Sequence, residues 1–395
     1  MLKKILRRSL RWGLTPLAAF FFAAAALLAR YTAKRPIDIG LGPEPLINNV
    51  FHKRSLEKAG YSAETFVSNV YYITKNFDVI AERQNLLISS CRLAFMALFR
   101  YKCLYIYFNG GPLAWTPLRQ IEPYIYKIAG IRTLVMPYGS DVQDMSLCPN
   151  LAFKQAMNLD YPSLTAGRDK IAENIARWTR HADHIISGCD WVYYTPRWDS
   201  LCLAHFSIDT DAVRPPDARY PVNEESIVVL HAPNHRNLKG SRYFIRAVEE
   251  LRAEGYPVEL QLVQNMPNSE LQERIKGADI IADQLIVGWY AMFAIEGMSA
   301  GKPVLCFLRN ELIELFESAN LVVPGEIPLV NCTWRTVKAE LRRLLDDRTL
   351  IAAVGKASRE YAVKHHSLAA VGRLFAAANK NMGLAPVAEL SKTDA

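Results

Sequence analysis

After Pro36, short β-branched or aromatic runs alternate with stretches whose apolar residues recur at helical spacing. No other feature constrains the chain as much, because this is the pattern of βαβ units and of a parallel sheet covered by helices. Strands are expected at Ile37–Leu41, Ala63–Val67, Cys103–Phe108, Arg132–Met136 and His184–Ser187. Between them Leu86, Ser90, Leu93, Ala94 and Ala97 share one helical face, and so do Leu118, Ile121, Ile125 and Ile128. Arg214 to Pro221 carries three prolines in eight residues and reads as a linker. The alternation then restarts with strands at Ile227–Leu230, Val258–Val263, Asp279–Asp283 and Pro303–Phe307, and a helix that turns Phe244, Ile245, Val248 and Leu251 inward. From about Val337 the pattern is helical. A chain of 395 residues, at about 150 per domain, is then two doubly wound α/β domains, 36–214 and 222–375, with a tail over 376–395 whose last dozen residues look frayed.

The first 35 residues do not belong to that pattern. Trp12 to Ala29 carries no charge, and as a helix it would be roughly 27 Å long against a hydrocarbon core of about 30 Å. Lys3, Lys4, Arg7, Arg8 and Arg11 precede it, and Arg30, Lys34 and Arg35 follow. This concentration of the net +8 charge points to anionic lipid and away from nucleic acid. A cleaved signal, a single span and a helix lying in one leaflet are the three readings. The last is preferred, with the body at the cytoplasmic face of a membrane, since exporting the body would separate it from any nucleotide-linked substrate. Because the alternation begins only after Pro36, the body is expected to fold without residues 1–30. The seven cysteines stand singly with no Cys-x-x-Cys, which argues against a disulfide framework or a zinc site and for a reducing compartment.

In open parallel sheets ligands sit beyond the carboxyl ends of the strands, so the loops there carry the chemistry. Gly40-Leu41-Gly42 opens onto a helix near Ile47, where glycines let backbone approach an anion, although the same residues make an ordinary tight turn. Asn109-Gly110-Gly111-Pro112 reads chiefly as a turn. Tyr138-Gly139-Ser140-Asp141 follows a strand and places Tyr138, Ser140 and Asp141 for acceptor hydroxyl recognition, or else as an Asx-type cap. The loop from His231 to Ser241 is richer. Asn234, Arg236, Lys239 and Gly240 supply cations, donors and a helix start, which is what a diphosphate requires. Downstream, Glu296 lies in an apolar helix before Gly301-Lys302-Pro303. A carboxylate there needs hydrogen-bond donors, such as the two hydroxyls of a ribose.

These residues resemble the retaining GT-B glycosyltransferases of the family 4 group, over roughly residues 36 to 375 and most closely from Ile227 to Phe307. Lys239-Gly240 is similar to the family's Lys-Gly pair, whose lysine binds donor phosphate. Glu296-Gly297-Met298-Ser299-Ala300-Gly301-Lys302-Pro303-Val304 resembles the second half of its Glu-x7-Glu motif, which implies a ribose-binding role for Glu296. Gly42 matches its first glycine loop, and Tyr138 stands where many members carry histidine. Two departures stand out. Gly288 occupies the place of the first glutamate, and Asn234 or Pro233 that of an arginine, with Arg236 close by. Either Asp283, Gln284 or the backbone near Gly288 would then hold the sugar, or the site is degenerate.

The resemblance implies transfer of a sugar from a nucleotide sugar to an acceptor, and the apolar N-terminal segment points to a membrane-linked glycan or lipid as that acceptor. Lys239, Arg236 and a helix N-terminus would stabilise the departing diphosphate, so neither a metal nor a bound cofactor is expected. The alternatives are a nucleotide-sugar epimerase of the same architecture and a non-catalytic nucleotide-sugar-binding protein.

Overall fold

The computed structural model describes residues 2–70, 74–81, 85–215 and 226–386, with side chains from residue 15 onward. Residues 216–221 of the expected linker, 387–395 of the tail, and the side chains of Lys3, Lys4, Arg7, Arg8 and Arg11 lie outside the described residues.

The first sheet is built from β1 (Ile37–Leu41), β2 (Ala63–Val67), β3 (Val79–Ile80), β4 (Tyr101–Tyr107), β5 (Arg132–Met136), β6 (His184–Gly188) and β7 (Ser200–Cys202). Among the described residues its order is β3-β2-β1-β4-β5-β6-β7, and each pairing between neighbours is parallel. The second sheet comprises β8 (Ile227–His231), β9 (Val258–Leu262), β10 (Ile280–Gln284), β11 (Val304–Cys306) and β12 (Val330–Asn331), ordered β12-β11-β10-β8-β9 and again parallel. Strand β4 shows why these apolar runs become central strands. Cys103, Tyr105 and Tyr107 enter one core while Leu104, Ile106 and Phe108 enter the other, so both faces are buried. The strand begins two residues earlier than the sequence suggests because Tyr101 is itself buried, stacked on Phe66 with its hydroxyl donating to Glu64.

Two elements lie where the pattern does not put them. The last helix, Leu368–Asn381, sends Val371, Phe375 and Ala378 into the core beside Ile39, Tyr105 and Met136, so it closes the first domain although the chain reaches it from the second. The first helix, Leu2–Thr32, is also part of the body. Its window Thr15–Thr32 has mean hydropathy 1.3 and is long and apolar enough to cross a membrane by length and composition. Yet Phe22, Ala25, Ala26 and Ala29 are buried in the same core as Leu118, Ile125 and Ala129. This packing runs against the expectation that the body folds without residues 1–30, since their removal would uncover that apolar surface.

The two domains meet directly. Asn150 Nδ2 donates to Ile286 O (2.7 Å), Trp289 Nε1 to Leu203 O (2.9 Å) and Leu238 N to Asp160 Oδ2 (3.0 Å). These bonds hold the loops at the ends of β8 and β10 against the first domain.

Candidate functional site

A groove of about 230 Å³ opens where Ile47, the first residue of the helix after β1, meets the loops after β8 and β9 and the helix Met292–Ser299. The β8 loop is fixed at its root by His231. Its Nδ1 donates to Ala282 O (2.6 Å) and its Nε2 accepts from Ser241 Oγ (2.8 Å), an arrangement that sets the tautomer. Burial pushes this imidazole down to about 4, so it is neutral and structural. The loop then makes a single helical turn, Arg236–Lys239, which ends at Gly240 with φ +72°. A side chain at Gly240 would meet Leu285 at 3.2 Å in addition to that strained backbone.

Asn234, Lys239 and Glu296 come together in the groove. Lys239 Nζ is 2.6 Å from Asp283 Oδ1, and the Asp283 side chain is wholly buried at the end of β10. The lysine is therefore anchored by a carboxylate beneath it while 22% of its own side chain stays exposed. Glu296 accepts from Asn268 Nδ2 at 2.7 Å. Burial raises its carboxyl to about 7, against the lowering effect of Asn268 and Gln272. Ala291, Met292 and Phe293, at the start of the Met292–Ser299 helix, complete the lining; no side chain caps that start. A cation, free backbone N–H groups and a buried acid with spare acceptor capacity are thus collected in one groove.

Other expected residues lie elsewhere. Arg236 and Gly240 line a larger cavity, about 580 Å³, together with Asn237, Arg242, Tyr243 and Trp334, on the other side of the one-turn helix. The smaller groove is the better candidate, because it alone combines Lys239, Glu296 and the uncapped helix start. Gly42 is packed against the first sheet, where a Cβ would fall 2.0 Å from the Phe66 carbonyl oxygen. Gly288 has φ +102°, and a Cβ there would be 2.4 Å from Arg309 Cδ. Gln284 is spent inside the protein: Oε1 accepts from Ile286 N and Val287 N, and Nε2 donates to Phe307 O. Asp141 takes the capping alternative, accepting from the N–H groups of Phe108, Tyr138 and Gly139 at 2.9–3.0 Å. Its carboxyl is pushed up to about 7 by burial. Tyr138 Oη accepts from Asn109 Nδ2 (2.8 Å), which also donates to Glu44 Oε1 (3.0 Å), and Ser140 beside it is half-buried.

Sequence reasoning passed over three residues. Asn268 holds Glu296, and an amide at a helix start soon after β9 is the signal that was available. Glu44 is the second, held above the usual carboxylate range by burial three residues before Ile47. The third is Asp190, which follows Cys189 (φ +53°) beyond β6. It is buried, with Oδ2 lacking a hydrogen-bond partner, and burial raises it to about 6.

No protein-family model and no curated protein matches this sequence. Solved structures do. Anabaena HepE in complex with UDP superposes with a TM-score of 0.57 at 12% identity, covering 86% of this chain and 99% of that one. Sucrose-phosphate synthase from Thermosynechococcus elongatus gives 0.56 at 14% identity over 88% and 99% of the two chains. An alpha-glucosyltransferase in complex with UDP and a 13-mer DNA gives 0.52 at 14% identity over 84% and 95%. The two facing parallel-sheet domains, preceded by an apolar helix, are those of the GT-B architecture.

Proposed function

We propose that this chain is a glycosyltransferase that moves a sugar from a nucleotide diphosphate donor to an acceptor. The observation that carries the reading is the meeting of Lys239, Glu296 and the uncapped start of helix Met292–Ser299 in one groove between the two sheets. Negative charge grows on the diphosphate as the glycosidic bond breaks. Lys239 and the backbone N–H groups stabilise it there, and Glu296 accepts from the ribose hydroxyls. At about 230 Å³ the groove is smaller than the roughly 300 Å³ at which sites for drug-sized ligands begin, so the nucleotide extends from it into the open cleft.

UDP is the first nucleotide to test, because HepE and the alpha-glucosyltransferase were solved with it. The family 4 resemblance of the Lys239 and Glu296 segments supports a retaining outcome. The chemistry needs no metal, so turnover persists in EDTA. The acceptor is a membrane-linked glycan or lipid, with the body at the cytoplasmic face of the membrane. The test is a turnover and thermal-shift screen across nucleotide sugars, in which a ligand at a hundred times its dissociation constant stabilises by about 2.7 kcal/mol. Isomerisation of the donor without any acceptor would replace this reading with that of an epimerase. Binding without turnover on any acceptor would leave a nucleotide-sugar-binding protein.

A further inference from the structure

The first helix packs on the body by one stripe only. Phe22, Ala25, Ala26 and Ala29 stand at i, i+3, i+4 and i+7, and they are buried. Its other side is open: Leu17, Phe20, Phe21 and Leu28 are each more than half exposed. The apolar surface does not end at this helix. Phe21 stacks on Phe95 with ring centroids 6.2 Å apart, and Phe95 belongs to the helix Leu86–Arg100, whose Leu86 and Ile88 are 57% and 64% exposed. Tyr124 and Ile128 extend the face along the helix Glu122–Ala129. Arg35 joins all three helices at one end, donating to Leu98 O, Ala129 O and Gly130 O.

The charge on this face has one sign. The helices Leu2–Thr32 and Leu86–Arg100 contain no Asp or Glu, and the one acid of Glu122–Ala129, Glu122, is fully buried. Arg30, Arg92 and Lys127 on these helices, and Lys34 just beyond the first, are exposed. The sequence adds Lys3, Lys4, Arg7, Arg8 and Arg11 in the opening turns of the first helix.

We propose that these three helices form one docking face for an anionic lipid bilayer, with the first helix lying along the interface and not across it. A crossing helix has lipid on every side, whereas here protein fills the stripe from Phe22 to Ala29. Laid flat, the open rows of both long helices enter the boundary between headgroups and acyl chains while the cations meet lipid phosphates. The surface is therefore composite, and the helix Leu86–Arg100 contributes to binding as the first helix does. This inference rests on the membrane-proximal part of the function proposed above and not on the donor chemistry.

The test is cosedimentation of the full chain with phosphatidylcholine vesicles that contain either no phosphatidylglycerol or about one third of it, over a salt series. Binding is expected to the anionic vesicles alone and to weaken as salt rises. Leu87→Glu combined with Ile88→Glu, both at exposed positions, should reduce binding at least about tenfold while leaving UDP affinity and melting temperature unchanged. Wild-type binding by that variant would overturn the composite face, and so would binding indifferent to lipid charge and salt. A chain that ignores vesicles but forms a dimer abolished by the same substitutions would assign the face to a second copy. Nucleotide-sugar turnover measured without vesicles decides the transferase reading separately, since its failure leaves the vesicle result standing.

Discussion

Removing Lys239 and removing Asp283 should have unequal consequences, although the two side chains form one ion pair. The Asp283 side chain has no exposure, whereas 22% of the Lys239 side chain reaches solvent. Lys239→Met leaves a carboxylate buried without its cation; besides the lysine, the Cys306 thiol at 3.7 Å donates to it. Breaking a buried pair in that way costs about 3–5 kcal/mol. Asp283→Asn leaves an ammonium that can turn to water, so the cost there is about 1–2 kcal/mol. At about 2–4 °C per kcal/mol for a domain of this size, Lys239→Met should melt about 6–20 °C below wild type and Asp283→Asn about 2–8 °C below. Function should separate in the opposite sense. A bound diphosphate draws on the same ammonium that Asp283 holds, so Asp283→Asn should bind UDP at least as tightly as wild type while turning over more slowly, its lysine no longer fixed. Lys239→Met should lose turnover by a factor on the order of 10². Differential scanning calorimetry of both variants gives the melting points, isothermal titration of UDP below those temperatures gives the affinities, and a donor turnover assay gives the rates. Equal melting points, or loss of UDP affinity in Asp283→Asn, would refute the reasoning.

Three further outcomes are expected. Glu296 is raised in the folded chain to about 7 from an ordinary 4.5, so its stabilising contribution is complete below pH 4.5 and is lost as pH rises through about 7; Glu296→Gln should flatten that slope in urea melts. Because ribose hydroxyls favour the ionised form, wild-type UDP affinity should rise between about pH 5 and pH 8, and Glu296→Ala should weaken it about 10- to 150-fold at the upper end, as read by titration calorimetry. Deleting residues 1–30 should give aggregated protein in light scattering, where a monodisperse product would mean that the stripe from Phe22 to Ala29 is not needed to cover the core. Gly288→Ala should lower the melting temperature measurably, since φ is +102° and Arg309 Cδ occupies the space; an unchanged value would show that Arg309 moves aside freely.

The fold was legible because its cause is local. A strand buried on both faces must be a continuous apolar run, and Leu104 to Phe108 is one whatever packs on either side. Lys239 and Glu296 were legible for a related reason: a cation at a strand-to-helix turn and an acid in an apolar helix conflict with their surroundings unless something pays for them. The partners were not legible. Asp283 is 44 residues from Lys239, and Asn268 is 28 from Glu296, distances in sequence that no periodicity spans. Side-chain direction was equally hidden. Arg236 and Lys239 differ by three positions on a single turn, and that turn sends one to the larger cavity and the other to the groove. The first helix misled because alanines at 25, 26 and 29 read as generic apolar filler, when their small size is what lets the helix lie close against the body.

The glycine at 288 bears on how the departure from the Glu-x7-Glu pattern is understood. A site that has lost a side chain leaves space where it stood. Here the space is occupied: Arg309 runs past Gly288, its backbone N–H donates to the Gly288 carbonyl at 3.0 Å, and its guanidinium lies 4.6 Å from the Tyr193 ring centre, in the first domain. Gln284 fixes the same loop from below through Ile286 N and Val287 N. A carboxylate at 288 would require the arginine to leave, the loop to abandon positive φ, and the contact with the first domain to be rebuilt. Gly288→Glu therefore tests the interdomain contact before it tests the donor site, and lost activity in that variant says nothing about where the sugar is held. Lys239 and Glu296 are free of this ambiguity, because each already faces the groove and is already held by a partner on the protein side.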